Sequence, residues 1–255
     1  MDARRCARRL RQAVYSVSRF LHTPLRTNWA SAATILGLLT SPLAAQSAPA
    51  ATLLDALSIT VQQDSQSVAR GSLRFRQLRT GADLELVATG IVVRRGLRVT
   101  AELRTDTAFV FRRYTAESRD SSGIVVDRIQ VRSAGGRITM ERTTPARRTV
   151  REFLAQRNLM IVDSAAVVPF VVLAGLGARV KSTAVLDVRS ATLVSVQLSF
   201  GSPIDLLVAD VMMPGTLVTM TGLPLPVCWW RDARGRLLRV AWGVSSRVIR
   251  DDPPA

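Results

Sequence analysis

Catalysis at neutral pH most often calls on histidine, and the only histidine of this 255-residue chain is His22, near its start. Beyond residue 46 there is none, which removes Ser-His-Asp and Cys-His nucleophile activation, histidine general-base work and the common zinc sites. Carboxylates remain. Asp83 and Glu85 lie two apart on an expected strand and point the same way, as an acid/base pair or a hard-metal site requires. Paired acids on a wet strand face beside arginines are also the ordinary pattern of solvated surface. Asp205 and Asp210, five apart on a strand, face opposite sides, and Asp251 and Asp252 sit in a proline-ended tail and read as solvated. Lys181 and Ser182 are adjacent on a strand, face apart, and lack the SxxK spacing of a Ser/Lys dyad. No catalytic residue, metal site or cofactor is expected.

The stretch "VCWWRDARGRLLRVAWG" (227–243) concentrates Trp229, Trp230 and Trp242. On a strand Trp229 and Trp230 alternate, so one faces inward and the other an outer face or rim. A tryptophan and arginine rim suits a lipid interface or a ligand mouth; a hairpin whose indoles close the core is the alternative. Cys228 reads as a small hydrophobe.

The elements that must position these groups have period two. "LRVTAELR" sets Leu97, Val99, Ala101 and Leu103 against Arg98, Thr100, Glu102 and Arg104, a half-buried antiparallel strand with one wet face. "ATLVSVQLSF" (191–200) and "RLLRVAW" (236–242) repeat it, and weaker versions occur at 72–78, 83–89, 107–114, 124–133, 136–142, 183–189, 204–211 and 226–231. Turn signals "RTGAD", "RRG", "DSSG", "AGG", "FGSP" and "DARG" separate them, which implies hairpins in succession. No helical segments alternate with the strands, so a parallel sheet is not expected. "TTPARRTV" (143–150) is the best break within an otherwise continuous domain over 51–250, followed by a tail at 251–255.

One segment departs from the pattern. "DSAAVVPFVVLAGLGARV" (163–180) holds no charge between Asp163 and Arg179. Ala165 to Ala178 is 14 residues with Pro169 and two glycines, short of the about 20 a membrane helix needs. "GLGARV" lacks the third glycine of a dinucleotide fingerprint. A short helix near 164–176 fits, capped near Asp163 or Ser164, with Pro169 in its first turn and Gly175 as its stop. Being apolar nearly all round, it must be buried, so the sheet is expected to curl around it.

The first 46 residues carry seven arginines, then the apolar run "WASAATILGLLTSPLAAQSAPA" with small residues after Pro42. That is the layout of a cleaved secretory signal, which predicts a periplasmic or secreted protein with no transmembrane span after cleavage. Only Cys228 then remains, so no intramolecular disulfide is expected. Removing seven of 35 basic and one of 19 acidic residues leaves a net charge of +10. Such a surface suits anionic lipid headgroups or wall polymer, and nucleic acid is not expected there; 34 arginines to one lysine also fits coding bias.

A signal segment, a long antiparallel meander, a central apolar helix and more strands resemble the half-barrel of periplasmic lipoprotein carriers and outer-membrane lipoprotein receptors. The ending "WWRDARGRLLRVAW…SSRVIRDDPPA" is similar to the C-terminal strands of uncharacterised secreted bacterial families with that plan. The resemblance implies acyl-chain binding in a concave face, with Val167, Phe170, Val171, Leu173 and Leu176 as cover or lining; no carrier motif is present. Three readings follow: a non-catalytic envelope protein sheltering a hydrophobic or amphipathic, lipid-like ligand; a structural or assembly subunit without one; and a carboxylate hydrolase.

Overall fold

The computed structural model describes residues 51–177, 180–243 and 245–254; the expected signal segment, 1–46, lies outside them. The chain runs β1 (Ala51–Gln63), β2 (Gln66–Thr80), β3 (Asp83–Arg94), β4 (Leu97–Asp106), β5 (Phe111–Arg119), β6 (Val125–Ala134), β7 (Arg137–Thr144) and β8 (Arg147–Leu154). Then come β9 (Met160–Val162), α1 (Val168–Ala174), β10 (Ser182–Asp187), β11 (Thr192–Val208), β12 (Val211–Thr221), β13 (Val227–Arg231), β14 (Leu237–Trp242) and β15 (Ser246–Arg250). All fifteen strands form one sheet, ordered β8 to β1 and then β15 down to β9. Among the described pairs only β9–β10 is parallel, with α1 as its crossover, a local exception to the expected antiparallel plan. No helix among the described residues is long and apolar enough to cross a membrane.

The two-residue period is the physical basis of this sheet. Along β4 the inward Val99, Ala101 and Leu103 are buried while the intervening residues are not, and Val196 and Leu198 do the same on β11. Four hairpins close with two positive-φ residues, at 64–65, 95–96, 135–136 and 209–210, the geometry whose twist matches the strands. The last explains a missed boundary: Ala209 and Asp210 lack the glycine that signals such a turn, so 204–211 reads as one strand but is the end of β11, a turn and the start of β12. The expected break at 143–150 is instead the β7–β8 hairpin, turning between Thr144 and Arg147. "FGSP" is not a turn but a register shift inside β11 between Phe200 and Pro203. A proline without a ladder donor sits at such an irregularity at little loss.

α1 is buried along its whole length. Phe170 stacks on Trp242 with ring centroids 6.2 Å apart and planes 7° apart. Glycine lets the helix lie this close: a Cβ on Gly90 of β3 would sit 2.7 Å from a Val168 methyl. The helix starts at Val168, after Asp163 and Ser164, and Val167 at its N-cap makes no side-chain bond to it. Pro169 does fall in the first turn.

β1 and β15, the first and last of the described strands in chain order, pair antiparallel in the middle of the sheet. There Arg250 is 2% exposed, and its Nη1 and Nη2 reach Asp55 at 2.9 and 3.0 Å. It also donates to the carbonyls of Leu237, Ala56 and Asp252. A buried ion pair is tolerated when its remaining donors are satisfied in this way. The tail is not merely solvated: Asp252 Oδ1 accepts Ser58 N–H at 2.8 Å and Asp251 Oδ2 accepts the Thr60 hydroxyl at 3.0 Å.

Candidate functional site

Two regions flank α1. At its N-terminal side the sheet's ends meet through side chains, making a seam. Asp163, 1% exposed, follows β9. Its Oδ2 accepts the Tyr114 hydroxyl of β5 at 2.6 Å. Arg189, in the β10–β11 turn, grips both Asp163 oxygens at 2.6 and 3.0 Å. Arg189 Nη1 reaches Asp127 of β6 at 2.6 Å, and Asp127 also holds Arg142 of β7 at 2.9 Å. From β7 and β8, Arg142 and Arg151 donate to the carbonyls of Arg189 and Ala191 at 3.4 and 3.1 Å. The sheet therefore curls into a barrel-like wall whose ends are tied by guanidinium bonds rather than by a strand ladder. Burial and the adjacent Asp163 carboxylate push the Tyr114 phenol well above its ordinary pKa. Burial disfavours the charged Arg189, but its bond to Asp163 and the nearby negative charge of Asp163 and Asp127 together outweigh this and hold its pKa above the usual value.

At the C-terminal side of α1 lies a mouth. Loops at Asp106 and Asp232 border it and share one design with the loop at Asp120, at the other end of β5. In each, Oδ1 accepts the N–H four residues on, from Val110, Ile124 and Arg236, at 2.8, 2.9 and 2.8 Å. The aspartate carbonyl accepts the N–H three residues on, from Phe109, Gly123 and Gly235, each at 3.0 Å. That residue takes positive φ: 82° at Gly123, 79° at Gly235 and 63° at Phe109. Glycine adopts this freely, whereas a bulky side chain there holds strain of about 1–3 kcal/mol. The strain places the Phe109 ring against the end of α1, where a Cβ on Gly175 would lie 2.8 Å from it. Nearby, Arg231 Nη1 donates to the Leu176 carbonyl.

Between these parts opens a hollow of about 340 Å³, walled by Phe75, Leu86, Phe109 and Val171, with Leu54 and Arg234 at its edge. Leu53, Leu54 and Val110 leave 59%, 40% and 43% of their surface exposed. Asp55 also borders the hollow, but its carboxylate is engaged by Arg250. A wider concavity of about 710 Å³ lies on the polar face of β2–β6. Its lining mixes Arg74, Arg113 and Arg128 with Glu102 and Glu117, and both carboxylates are paired, Glu117 with Arg128 at 2.5 Å and Glu102 with Arg104 at 2.7 Å, which is what a solvated sheet face looks like. There the Arg128 and Arg119 bonds outweigh partial burial and lower the Glu117 pKa.

Of the residues singled out from the sequence, Val171 alone lines the 340 Å³ hollow. Leu173 and Leu176 line a crevice of about 20 Å³, room for about one water. Val167, Phe170 and Trp229 are buried in the core. Trp230 faces the other way, onto a small cluster of Leu206, Val208 and Leu238, with the Arg239 guanidinium 5.8 Å above its ring. The Trp229 and Trp230 indole N–H groups have no hydrogen-bond partner among the described residues. Burial raises the Cys228 pKa. Glu85 bonds Arg104 at 3.3 Å, while Asp83 opens β3. Leu54, Phe75, Leu86, Phe109 and Arg234 were missed. For Phe109 a signal exists: "DTAF" at 106–109 repeats the spacing of "DSSG" and "DARG" with phenylalanine in the glycine position.

No protein-family profile matches the chain. No curated protein matches it. Among solved structures it is similar to a beta-barrel-like protein of domain of unknown function DUF1849 from Brucella abortus, with a TM-score of 0.49 and 11% identity over 79% of this chain and 97% of that one.

Proposed function

We propose that the protein is a non-catalytic component of the bacterial envelope, periplasmic or secreted, that shelters the apolar part of an amphipathic, lipid-like ligand in the mouth beside α1. One observation carries this reading: a hollow of about 340 Å³ with aliphatic and aromatic walls, open between the exposed Leu54 and the cationic Arg234. Its size falls in the range of small-molecule sites; of its charged lining Arg234 is exposed at the edge, while Asp55 is held by Arg250 and Arg236 by Asp232. A concave sheet face for acyl chains is also what the resemblance to lipoprotein carriers implies. With no histidine beyond residue 46, the chain offers no ready proton shuttle, which favours binding over turnover.

The test is titration of the purified chain with dansylated undecanoic acid, alongside organic extraction and mass spectrometry. Saturable binding and co-purifying lipid are expected. Leu86→Trp, which fills the hollow, and Leu54→Arg, at its edge, should each weaken binding roughly tenfold, about 1.4 kcal/mol. A wild-type chain that neither binds the probe nor yields lipid rules the reading out. Cell fractionation checks the compartment.

The assembly-subunit reading has its own support. Residues 211–215 of β12 pair with β11 alone, so the hairpin tip is two-stranded. There Leu207 and Met212 are cross-strand partners, 55% and 60% exposed. A Leu207→Asp/Met212→Asp variant that changes the sedimentation of the native chain favours this second role.

A further inference from the structure

We propose that the arginine-lined hollow at the seam is a binding site for a phosphate monoester or diphosphate group. The inference does not rest on the mouth and goes beyond it. The hollow measures about 250 Å³ and is lined by Arg142, Arg147, Arg151 and Arg189, with the hydroxyls of Thr144 and Ser190; no carboxylate lines it.

The charge balance singles this place out. Arg142 and Arg189 are neutralised from behind by Asp127 and Asp163. Arg147 and Arg151 have no carboxylate within salt-bridge distance among the described residues, although Arg148 between them and the rest pairs with Glu141 at 2.7 Å. Arg151 gives one donor to the Ala191 carbonyl. Each guanidinium carries five N–H donors in a planar fork that matches phosphate oxygens. Closing the seam draws on Arg142, Arg189 and a single donor of Arg151; it does not need the rest of Arg151 or any of Arg147 turned toward the same hollow. Like charges gathered around one space are repulsive unless an anion sits among them. Two unpaired guanidiniums beside two partly neutralised ones match a ligand with more than one negative charge and three or more acceptor oxygens, which a single carboxylate does not supply.

The same chemistry is offered by a soluble phosphate compound and by a phosphomonoester headgroup at a lipid surface, and the experiment separates them. The purified chain is titrated calorimetrically with pyrophosphate, and co-sedimented with phosphatidylcholine vesicles with and without phosphatidic acid. In the Arg147→Ser/Arg151→Ser variant, both positions being exposed, pyrophosphate affinity should fall at least roughly tenfold. Its dansylated undecanoic acid binding should stay unchanged, and its thermal midpoint should fall only by what the one exposed bond from Arg151 to the Ala191 carbonyl contributes. A control variant, Arg70→Ser/Arg98→Ser, removes equal charge from β2 and β4 and should keep wild-type affinity. Retention on phosphatidic acid vesicles that needs Arg147 and Arg151, without binding of free pyrophosphate, supports the site and assigns it to a headgroup. The proposal is overturned if the wild-type chain binds neither probe, if the seam variant binds as tightly as wild type, or if the control loses as much.

Discussion

The two flanks of α1 solve opposite problems. On the side of Asp163 the protein has buried charge and then partnered all of it: Tyr114, Arg189 and a backbone N–H from Ala165 converge on one carboxylate. On the side of Gly175 it has left apolar surface open and held an aromatic ring in a conformation that glycine would adopt more readily. The first arrangement is rigid, because every bond lost there strands a desolvated partner. The second is adjustable, because apolar walls tolerate many shapes and a strained loop has somewhere lower in energy to go. A curled sheet held shut on one flank and loosely stoppered on the other can admit a ligand without coming apart.

That contrast predicts a graded set of responses. Asp163→Ala should be the most damaging change, lowering stability by about 3–5 kcal/mol in urea unfolding, since Arg189 and Tyr114 lose their shared buried partner. A loss below about 1 kcal/mol would show that the seam does not hold the sheet closed. Tyr114→Phe should cost about 1–3 kcal/mol. It should also change the alkaline limb. A phenol whose native pKa is raised stabilises the fold fully below its unfolded value of about 10, and that contribution is lost as the pH climbs toward the native value. The wild-type chain should therefore weaken above about pH 10 more steeply than the variant; equal slopes would mean the phenol is not held against Asp163.

The mouth should respond in reverse. Phe109→Gly should shift stability by no more than about 1 kcal/mol, because relief of backbone strain offsets lost packing, while probe binding falls. Leu54→Arg should leave stability within about 0.5 kcal/mol of wild type and still weaken binding. If either mouth variant unfolds the chain like a seam variant, the two regions are not the different things described here.

What the sequence made legible follows from how far apart the cooperating residues are. The alternation on β4, β11 and β14, the buried helix and the opposite facing of Trp229 and Trp230 are local patterns, readable within ten residues. The seam is not local: Tyr114 and Asp163 are 49 positions apart and Arg189 a further 26. Asp163 before an apolar run looks like a helix cap, and its Oδ1 does accept Ala165 N–H at 2.8 Å, so the local reading hid the distant one. The mouth failed for another reason: Phe75 and Leu86 look like any inward strand residue, and only the placement of the helix end leaves them beside a space. Most of β12 falls between the expected strands at 204–211 and 226–231, and its Pro214 pairs with Asp205 on the two-stranded tip.

The strand order has one more consequence. Read across the wall from β9, the order is β9 to β15, then β1 to β8: a simple succession, merely begun in the middle. A circular permutant opened within 155–159, its old ends bridged by a linker of roughly eight residues, would place every strand next to its sequence neighbour. The natural chain must instead bring Asp55 to Arg250 across 195 positions, so β1 waits unpaired on one side until β15 is available. The rearranged chain, with its shorter-range contacts, should refold faster to the same structure.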